Sequence, residues 1–119
     1  MDLLDTLVIA SAGLEAFAGK TQIAAYNLAN ISTDGFRAVK DRFATGSNGT
    51  SVRLDILMAA GKPVQLSANH RLNVKDAPSE TDMATEIVSL IVGERGFQAN
   101  AKVVETTDAM LGTLLNMKS

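Results

Sequence analysis

The feature that most constrains this chain is a pair of long apolar patterns, one at each end. In the first, positions recur at alternating intervals of four and three: Leu3, Leu7, Ala10, Leu14, Phe17, Thr21, Ala24, Leu28 and Ile31, with Thr21 the only polar member. The second has the same spacing: Met83, Ile87, Leu90, Glu94, Phe97, Ala101, Val104, Asp108, Leu111 and Leu115, with two acidic interruptions. This spacing keeps side chains on one face of a helix and is typical of a seam between packed helices. The sequence therefore predicts two long helices that pair.

The middle of the chain has a different pattern. The polar, Gly-containing stretch "ATGSNGTS", residues 44–51, predicts a loop or flexible linker. In the following "SVRLDIL", apolar and charged residues alternate with the period of a β-strand. The stretch "AAGKP" predicts a turn, and "VQLSANHRLNV" predicts weaker returning strands. We therefore expect a small β-hairpin or a three-stranded patch between the helices.

The expected fold is mainly α, with the long N- and C-terminal helices paired as an antiparallel coiled-coil hairpin around a small β-hairpin-like insert. The expected division is residues 1–36 for the N-terminal helix and turn, 37–78 for the loop and β-rich insert, and 79–119 for the C-terminal helix. Ser79, Thr81 and Asp82 mark the start of that helix, because their side chains accept from free backbone amides. Composition alone also allows a self-contained three- or four-helix bundle, against which the strand-like middle argues.

The two helices carry more apolar surface than one seam can bury. Residues 87–92 cover nearly the whole helix circumference, and a helix that is apolar all round has to be covered all round. The small insert cannot cover the remainder, so the surplus predicts neighbouring subunits. The residues expected to pair the helices within one subunit are Leu7, Leu14, Phe17, Leu28, Ile87, Leu90, Phe97, Val104 and Leu111. Those expected to pack between subunits are Val88, Ile91, Met110, Leu114 and Met117.

Composition and local sequence argue against several classes of protein. Eleven basic and 13 acidic residues give a net charge of −2, which provides no electrostatic footprint for nucleic acid. The absence of cysteine excludes disulfides, thiolate zinc sites and a Cys nucleophile. The apolar run from Leu3 to Phe17 is interrupted by Asp5 and Glu15 and is shorter than the roughly 20 residues that span a bilayer. Asp2 and Asp5 stand where a secretory signal carries Lys or Arg, so no cleavable signal peptide is expected.

The sequence offers little for catalysis. His70 is the only histidine, lies in a polar strand-like segment and has no nucleophile motif near it. The carboxylates are spread along the chain without the spacing of a metal site or an acid–base pair. We therefore expect neither an enzyme nor a cofactor. Glu94 and Asp108 are expected to pair with basic residues of a neighbour or to line a wet channel.

The first helix runs into a polar, turn-forming stretch. Asn27 and Asn30 are poor helix-interior residues and Gly35 favours a positive φ, so the helix is expected to end near Asn30. On these grounds alone the stretch is a helix stop. As a whole, however, "SAGLEAFAGKTQIAAYNLANISTDGFRA" resembles the N-terminal signature of the bacterial flagellar rod and hook family. The matching residues are Ser11, Gly13, Leu14, Asn27, Leu28, Ala29, Asn30, Thr33, Gly35 and Phe36.

The last helix resembles the C-terminal helix of the same family. The matching residues are Glu86, Ile87, Val88, Arg95, Phe97, Gln98, Ala99, Asn100, Ala101, Lys102, Asp108, Met110 and Leu111. Two separated motifs in the right order are more specific than either alone. The chain departs from the family at three places: Asp34 replaces the usual Pro, Phe36 replaces the usual Tyr, and residues 79–82 replace an Asn-Val-Asp that often precedes the last helix.

The resemblance implies a structural subunit of the flagellar axial structure, whose terminal helices pack with those of neighbours into a helical tube. It implies as partners the chain itself, other axial proteins and the flagellar type III export apparatus, and as location the periplasm-spanning basal body. The short central segment favours a proximal-rod-like member, whereas "GFQANAKVVETTDAML" is closer to hook and distal-rod tails. The alternative is a soluble flagellar adaptor or export regulator with the same helical hairpin.

Overall fold

The structure is a computed structural model that describes residues 1–57 and 79–119. The elements are α1 (Leu3–Ala29), β1 (Lys40–Thr45), β2 (Val52–Leu57) and α2 (Met83–Lys118). The described part is therefore mainly helical, with one small antiparallel β-hairpin, which confirms the expected fold at this level. It is elongated, with extents of 75 × 26 × 16 Å. In the part of the chain that the structure describes, neither helix has the length and hydropathy needed to cross a bilayer.

Capping residues set the ends of α1. At its start the Asp2 side chain accepts from the Asp5 amide at 2.8 Å, and the Asp5 side chain accepts from the Asp2 amide at 3.2 Å. This reciprocal arrangement is a capping box, which satisfies free amides of the first turn. At its end the cap is Asn30, as expected, and the chain then turns through Gly35 with a φ of 74°. Glycine adopts this conformation without the steric cost that a Cβ would bring.

The start of α2 is likewise fixed by its cap. Asp82 accepts from the Ala84 amide at 3.2 Å and from the Thr85 hydroxyl at 2.7 Å. The helix was predicted to start within residues 79–82. Its cap is Asp82, the residue immediately before the helix, which confirms this prediction.

The β-hairpin differs from the sequence-based expectation in its partner strand, which precedes β2 in the chain and does not follow it. The strand pattern of β2 is confirmed, but its partner is the upstream strand β1, in a register from Lys40 opposite Leu57 to Thr45 opposite Val52. Residues 44–51 include the tight turn of this hairpin, which is closed by a 2.7 Å bond from the Gly46 amide to the Ser51 carbonyl. The predicted turn "AAGKP", His70 and the returning strands "VQLSANHRLNV" lie outside the described residues.

Helix α1 occupies the centre of the molecule, with α2 on one side and the β-hairpin on another. The Phe17 and Phe43 rings meet edge-on at 4.9 Å, and Lys20 Nζ lies 3.0 Å from Asp41 Oδ2. Among the described elements, α2 contacts α1 and not the β-hairpin. Among the residues that the structure describes, the fully buried apolar ones are accordingly all in α1: Ala10, Ala16 and Ala24. With respect to the other described elements, helix α2 is covered on one face and open over the rest of its circumference.

Candidate assembly surface

The two helices approach closely because small residues lie between them. Gly13 of α1 faces Asn100 of α2, and Gly96 of α2 faces Phe17 of α1. A Cβ on either glycine would overlap the facing side chain, so the backbones are as near as these positions allow. Because later residues of α1 face earlier residues of α2, the helices run antiparallel.

Thr21, the one polar member of the first pattern, lies on the same contact line. It faces Gly93, where a Cβ would overlap the threonine hydroxyl. The hydroxyl donates to the Phe17 carbonyl at 3.0 Å, so its polar atom is satisfied within its own helix. A threonine is tolerated here because the partner position is a glycine.

The contact line of α2 is displaced by one residue from part of the predicted seam. It runs through residues that recur every seven positions: Glu86, Gly93, Asn100 and Thr107. The predicted series has Ile87, Glu94, Ala101 and Asp108 at the following positions. Of these, Ile87, Glu94 and Asp108 are exposed, which explains why the predicted seam had acidic interruptions. The displacement arises because small and polar residues make the close contact, whereas an apolar pattern registers only large aliphatic ones.

The predicted pairing residues are therefore unequally placed. Seven of the nine are half-buried: Leu7, Leu14, Phe17, Leu28, Leu90, Val104 and Leu111. Ile87 and Phe97 are 44% and 43% exposed and lie beside the contact line, not on it. Small or polar residues recur every seven positions at Gly93, Asn100 and Thr107. This recurrence was the sequence signal that could have located the contact line of α2.

At the other end of the helix pair, one buried carboxamide joins three segments. The Asn27 side chain is 1% exposed. Its Nδ2 donates to Glu86 Oε1 at 3.0 Å and to the Val39 carbonyl at 2.8 Å, while its Oδ1 accepts from the Val39 amide at 2.8 Å. The Thr81 hydroxyl donates to the Asn27 backbone carbonyl at 3.2 Å. Both donors of the carboxamide are used, so the residue fixes the ends of α1 and α2 against the segment that leads into β1.

The chain around Asn27 is held by further contacts between the two halves. The Glu80 amide donates to the Phe36 carbonyl at 3.0 Å, and Arg37 Nε lies 3.3 Å from Glu80 Oε2. The Phe36 ring meets the Tyr26 ring edge-on at 5.6 Å. Glu80 and Thr81 thus bind the segment that leads into α2 to the N-terminal part of the chain.

The structure brings several of the predicted motif residues together. Asn27 meets Glu86, and Gly13 meets Asn100, so each pair joins one N-terminal and one C-terminal motif residue. The motif residues near Asn27 are Asn30, Thr33, Gly35 and Phe36. Leu14 is half-buried, whereas the other four are exposed: Ser11, Arg95, Phe97 and Asp108. The motif residues that meet across the two helices therefore lie where the helices are joined.

One exposed side of α2 is apolar over most of its length. We call it the apolar face of α2 and define it by Val88, Val92, Val103, Met110, Leu114 and Met117, all of them exposed. Their successive separations of 4, 11, 7, 4 and 3 residues are close to whole multiples of 3.6, which places them along one stripe. Of the five residues predicted to pack between subunits, four lie on this face, and Ile91 is exposed beside it.

The C-terminal end of α2 extends past α1. With Gly13 opposite Asn100, the first turn of α1 lies level with residues near 110, so residues 112–118 project by roughly 10 Å. A Cβ on Gly112 would meet no atom within 4 Å, and Leu115 and Met117 are 71% and 79% exposed. Within the described residues, nothing lies against this projecting end.

The described residues contain no arrangement that indicates catalysis or metal binding. Within residues 1–57 and 79–119, no three His, Cys, Asp or Glu side chains come together as metal ligands. In the same ranges, every buried side-chain nitrogen and oxygen atom has a hydrogen-bond partner. The exposed surfaces of α2 are thus the features that require an explanation.

Comparison with known proteins relates the C-terminal part of the chain to flagellar proteins. Residues 79–117 match the family model "Flagellar basal body rod FlgEFG protein C-terminal". The flagellar hook protein FlgE of Helicobacter pylori is 52% identical over 40 residues, or 34% of this chain and 6% of that protein. The flagellar basal-body rod protein FlgG of Bacillus subtilis is 42% identical over 40 residues, or 34% and 15%.

The hook protein FlgE of Escherichia coli is 40% identical over 40 residues, which are 34% of this chain and 10% of that protein. The matches therefore span a small fraction of the length of these relatives. They lie in the segment that contains α2 and its exposed faces. The N-terminal motif lies outside the family-model match and stays a prediction.

Proposed function

We propose that the chain is a structural subunit of the flagellar basal-body rod or hook, because residues 79–117 match the C-terminal model of flagellar rod proteins and resemble hook and rod proteins. In this proposal copies of the chain join each other and other axial proteins through their helices and form a helical tube. Its relatives are structural hook and rod proteins, in agreement with a role that involves no catalysis.

The observation that carries the proposal is the apolar face of α2. It covers most of a 36-residue helix and lies in the segment that matches the family. Removing water from an apolar helix stripe of this length lowers the free energy. Nothing in the described part of the chain covers the stripe. A second helix from a neighbouring copy has the shape to cover such a stripe.

The remaining parts of the proposal concern the single subunit and its route. The seven-residue recurrence along the contact line supports pairing of α1 and α2 as an antiparallel coiled coil. We take residues 1–36, 37–78 and 79–119 as its three parts. The subunit would reach the periplasm-spanning basal body through the flagellar type III export apparatus.

The test compares two neighbouring substitutions in α2. Met110→Asp places a charge on the apolar face, whereas Ala109→Asp places the same charge on an exposed position about 100° away around the helix. Sedimentation over a concentration series should show growing oligomers for the wild type and for Ala109→Asp, and monomers for Met110→Asp. Circular dichroism should show that monomers of Met110→Asp have the same helicity as monomers of the wild type.

Two outcomes would count against the proposal. Oligomers of Met110→Asp indistinguishable from those of the wild type would mean that this face is not the contact. A wild-type chain that stays a fully helical monomer or dimer at every concentration would favour the adaptor or export-regulator alternative.

A further inference from the structure

Within the described residues, the β-hairpin has one face turned away from α1. Opposite residues of an antiparallel pair share a face, and Asp41 and Phe43 belong to the face that contacts α1. The other face carries Lys40, Arg42 and Arg53, which we call the basic face of the β-hairpin.

This face retains positive charge after its internal ion pairs are counted. Arg42 Nη2 lies 3.5 Å from Asp55 Oδ2, and Arg53 Nε lies 3.0 Å from Asp55 Oδ1. One carboxylate thus serves two guanidinium groups, and Lys40 adds a third positive charge. The arginine side chains are 64% and 58% exposed, so both are available to a further anionic partner.

Helix α2 carries a complementary surface. Glu94, Glu105 and Asp108 are exposed and lie on the flank opposite the apolar face, and we call them the acidic flank of α2. The positions that continue this stripe, 98, 101 and 112, hold Gln, Ala and Gly, so the stripe contains no basic residue.

The acidic flank also borders an apolar depression. A groove of about 350 Å³ lies between the helices there, lined by Ala18, Thr21, Glu94, Phe97 and Gln98. Lys102, which lies beside the acidic flank and not on it, pairs with Glu105 (Nζ to Oε2, 2.9 Å), and both side chains are about 70% exposed. Such pairs are weak and exchange partners readily.

The two charged surfaces cannot meet within one chain. The basic face points away from α1, and α1 separates the β-hairpin from α2 in the described part of the molecule. Their lengths nevertheless correspond. Lys40 to the level of Arg53 spans about 14 Å along the strands, and Glu94 to Glu105 spans about 16 Å along the helix.

We propose that the basic face of the β-hairpin of one copy binds the acidic flank of α2 of a second copy. This inference rests on the proposed assembly and names a second contact within it. Each copy presents one surface of each kind, so the contact is heterologous and repeats from copy to copy. Because the acidic flank and the apolar face lie on opposite sides of α2, one helix can use both contacts at once.

The experiment is an exchange of charge between the two surfaces. In the first variant, Lys40→Glu/Arg53→Glu, Arg42 is kept so that Asp55 retains its cross-strand partner. In the second, Glu105→Lys/Asp108→Lys, both substituted residues are exposed and off the helix contact line. Each variant alone should need at least tenfold more protein than the wild type to form oligomers in sedimentation.

The decisive sample is an equimolar mixture of the two variants. The acidic β-hairpin of the first faces the basic α2 of the second, and the unaltered surfaces also match, so mixing should restore oligomers at the wild-type concentration. A variant that had merely unfolded would not be rescued. Ser11→Glu/Ala25→Glu adds two negative charges at exposed positions of α1 that belong to neither surface, and it should assemble normally.

The inference is overturned if either variant assembles as the wild type does, or if the mixture assembles no better than its parts. If this happens while Met110→Asp still prevents assembly, only the charged contact fails and the proposed function stands. If the wild type does not assemble, both fail.

Discussion

Asn27 is the residue on which the join between the two halves of the chain depends. Asn27→Asp keeps the shape but removes both donors and places a carboxylate beside Glu86. We expect the free energy of unfolding to fall by about 2–4 kcal/mol, measured by urea denaturation. Adding Glu86→Gln should recover part of the loss, because the new amide can donate to the aspartate. Measuring Glu86→Gln alone completes the double-mutant cycle, and a coupling free energy near zero would contradict the contact between Asn27 and Glu86.

The glycines of α2 give a second prediction at the same scale, with a control in the same helix. Gly96→Ala would drive a Cβ into the Phe17 ring, and we expect a loss of about 1–3 kcal/mol in the free energy of unfolding. Gly112→Ala meets no neighbouring atom, so only the better helix propensity of alanine acts, and a gain of about 0.5–1 kcal/mol is expected. Thermal denaturation of the two variants should therefore shift in opposite directions. A stabilised Gly96→Ala would refute the close contact.

Among the elements, α2 is the one whose surroundings should change most on assembly. In the single chain its residues 112–118 project beyond α1, so their amides should exchange with solvent faster than those near Gly93 and Asn100, which face α1. In oligomers the exchange at residues 112–118 should slow markedly. Hydrogen-exchange mass spectrometry on dilute and concentrated samples measures this. Unchanged fast exchange in oligomers would place this end outside the contacts.

The elements also show what the sequence could predict. Helix ends followed from local chemistry: Asn30 and Asp82 cap where expected because capping is decided within a few residues. Strand β1 was missed because its only large apolar side chain is Phe43, too few for an alternating pattern. The contact line of α2 was misplaced by one residue because close packing favours Gly93 and Thr107, which no count of apolar residues includes. The basic face of the β-hairpin could not be located without β1.

For the whole molecule, the two contacts proposed for α2 should respond differently to salt. Charged groups on exposed surfaces are screened over about 10 Å at 0.1 M salt and about 3 Å at 1 M, whereas apolar burial is not weakened by salt. Raising NaCl should therefore shift wild-type oligomers towards smaller species without dissolving them fully. The Lys40→Glu/Arg53→Glu variant should associate weakly at low salt and more strongly as salt is added, because salt screens the repulsion between its two acidic surfaces and does not weaken the apolar contact. Light scattering at matched protein concentrations compares the two chains. If wild-type oligomers grew with added salt as those of the variant do, the apolar face alone would account for assembly.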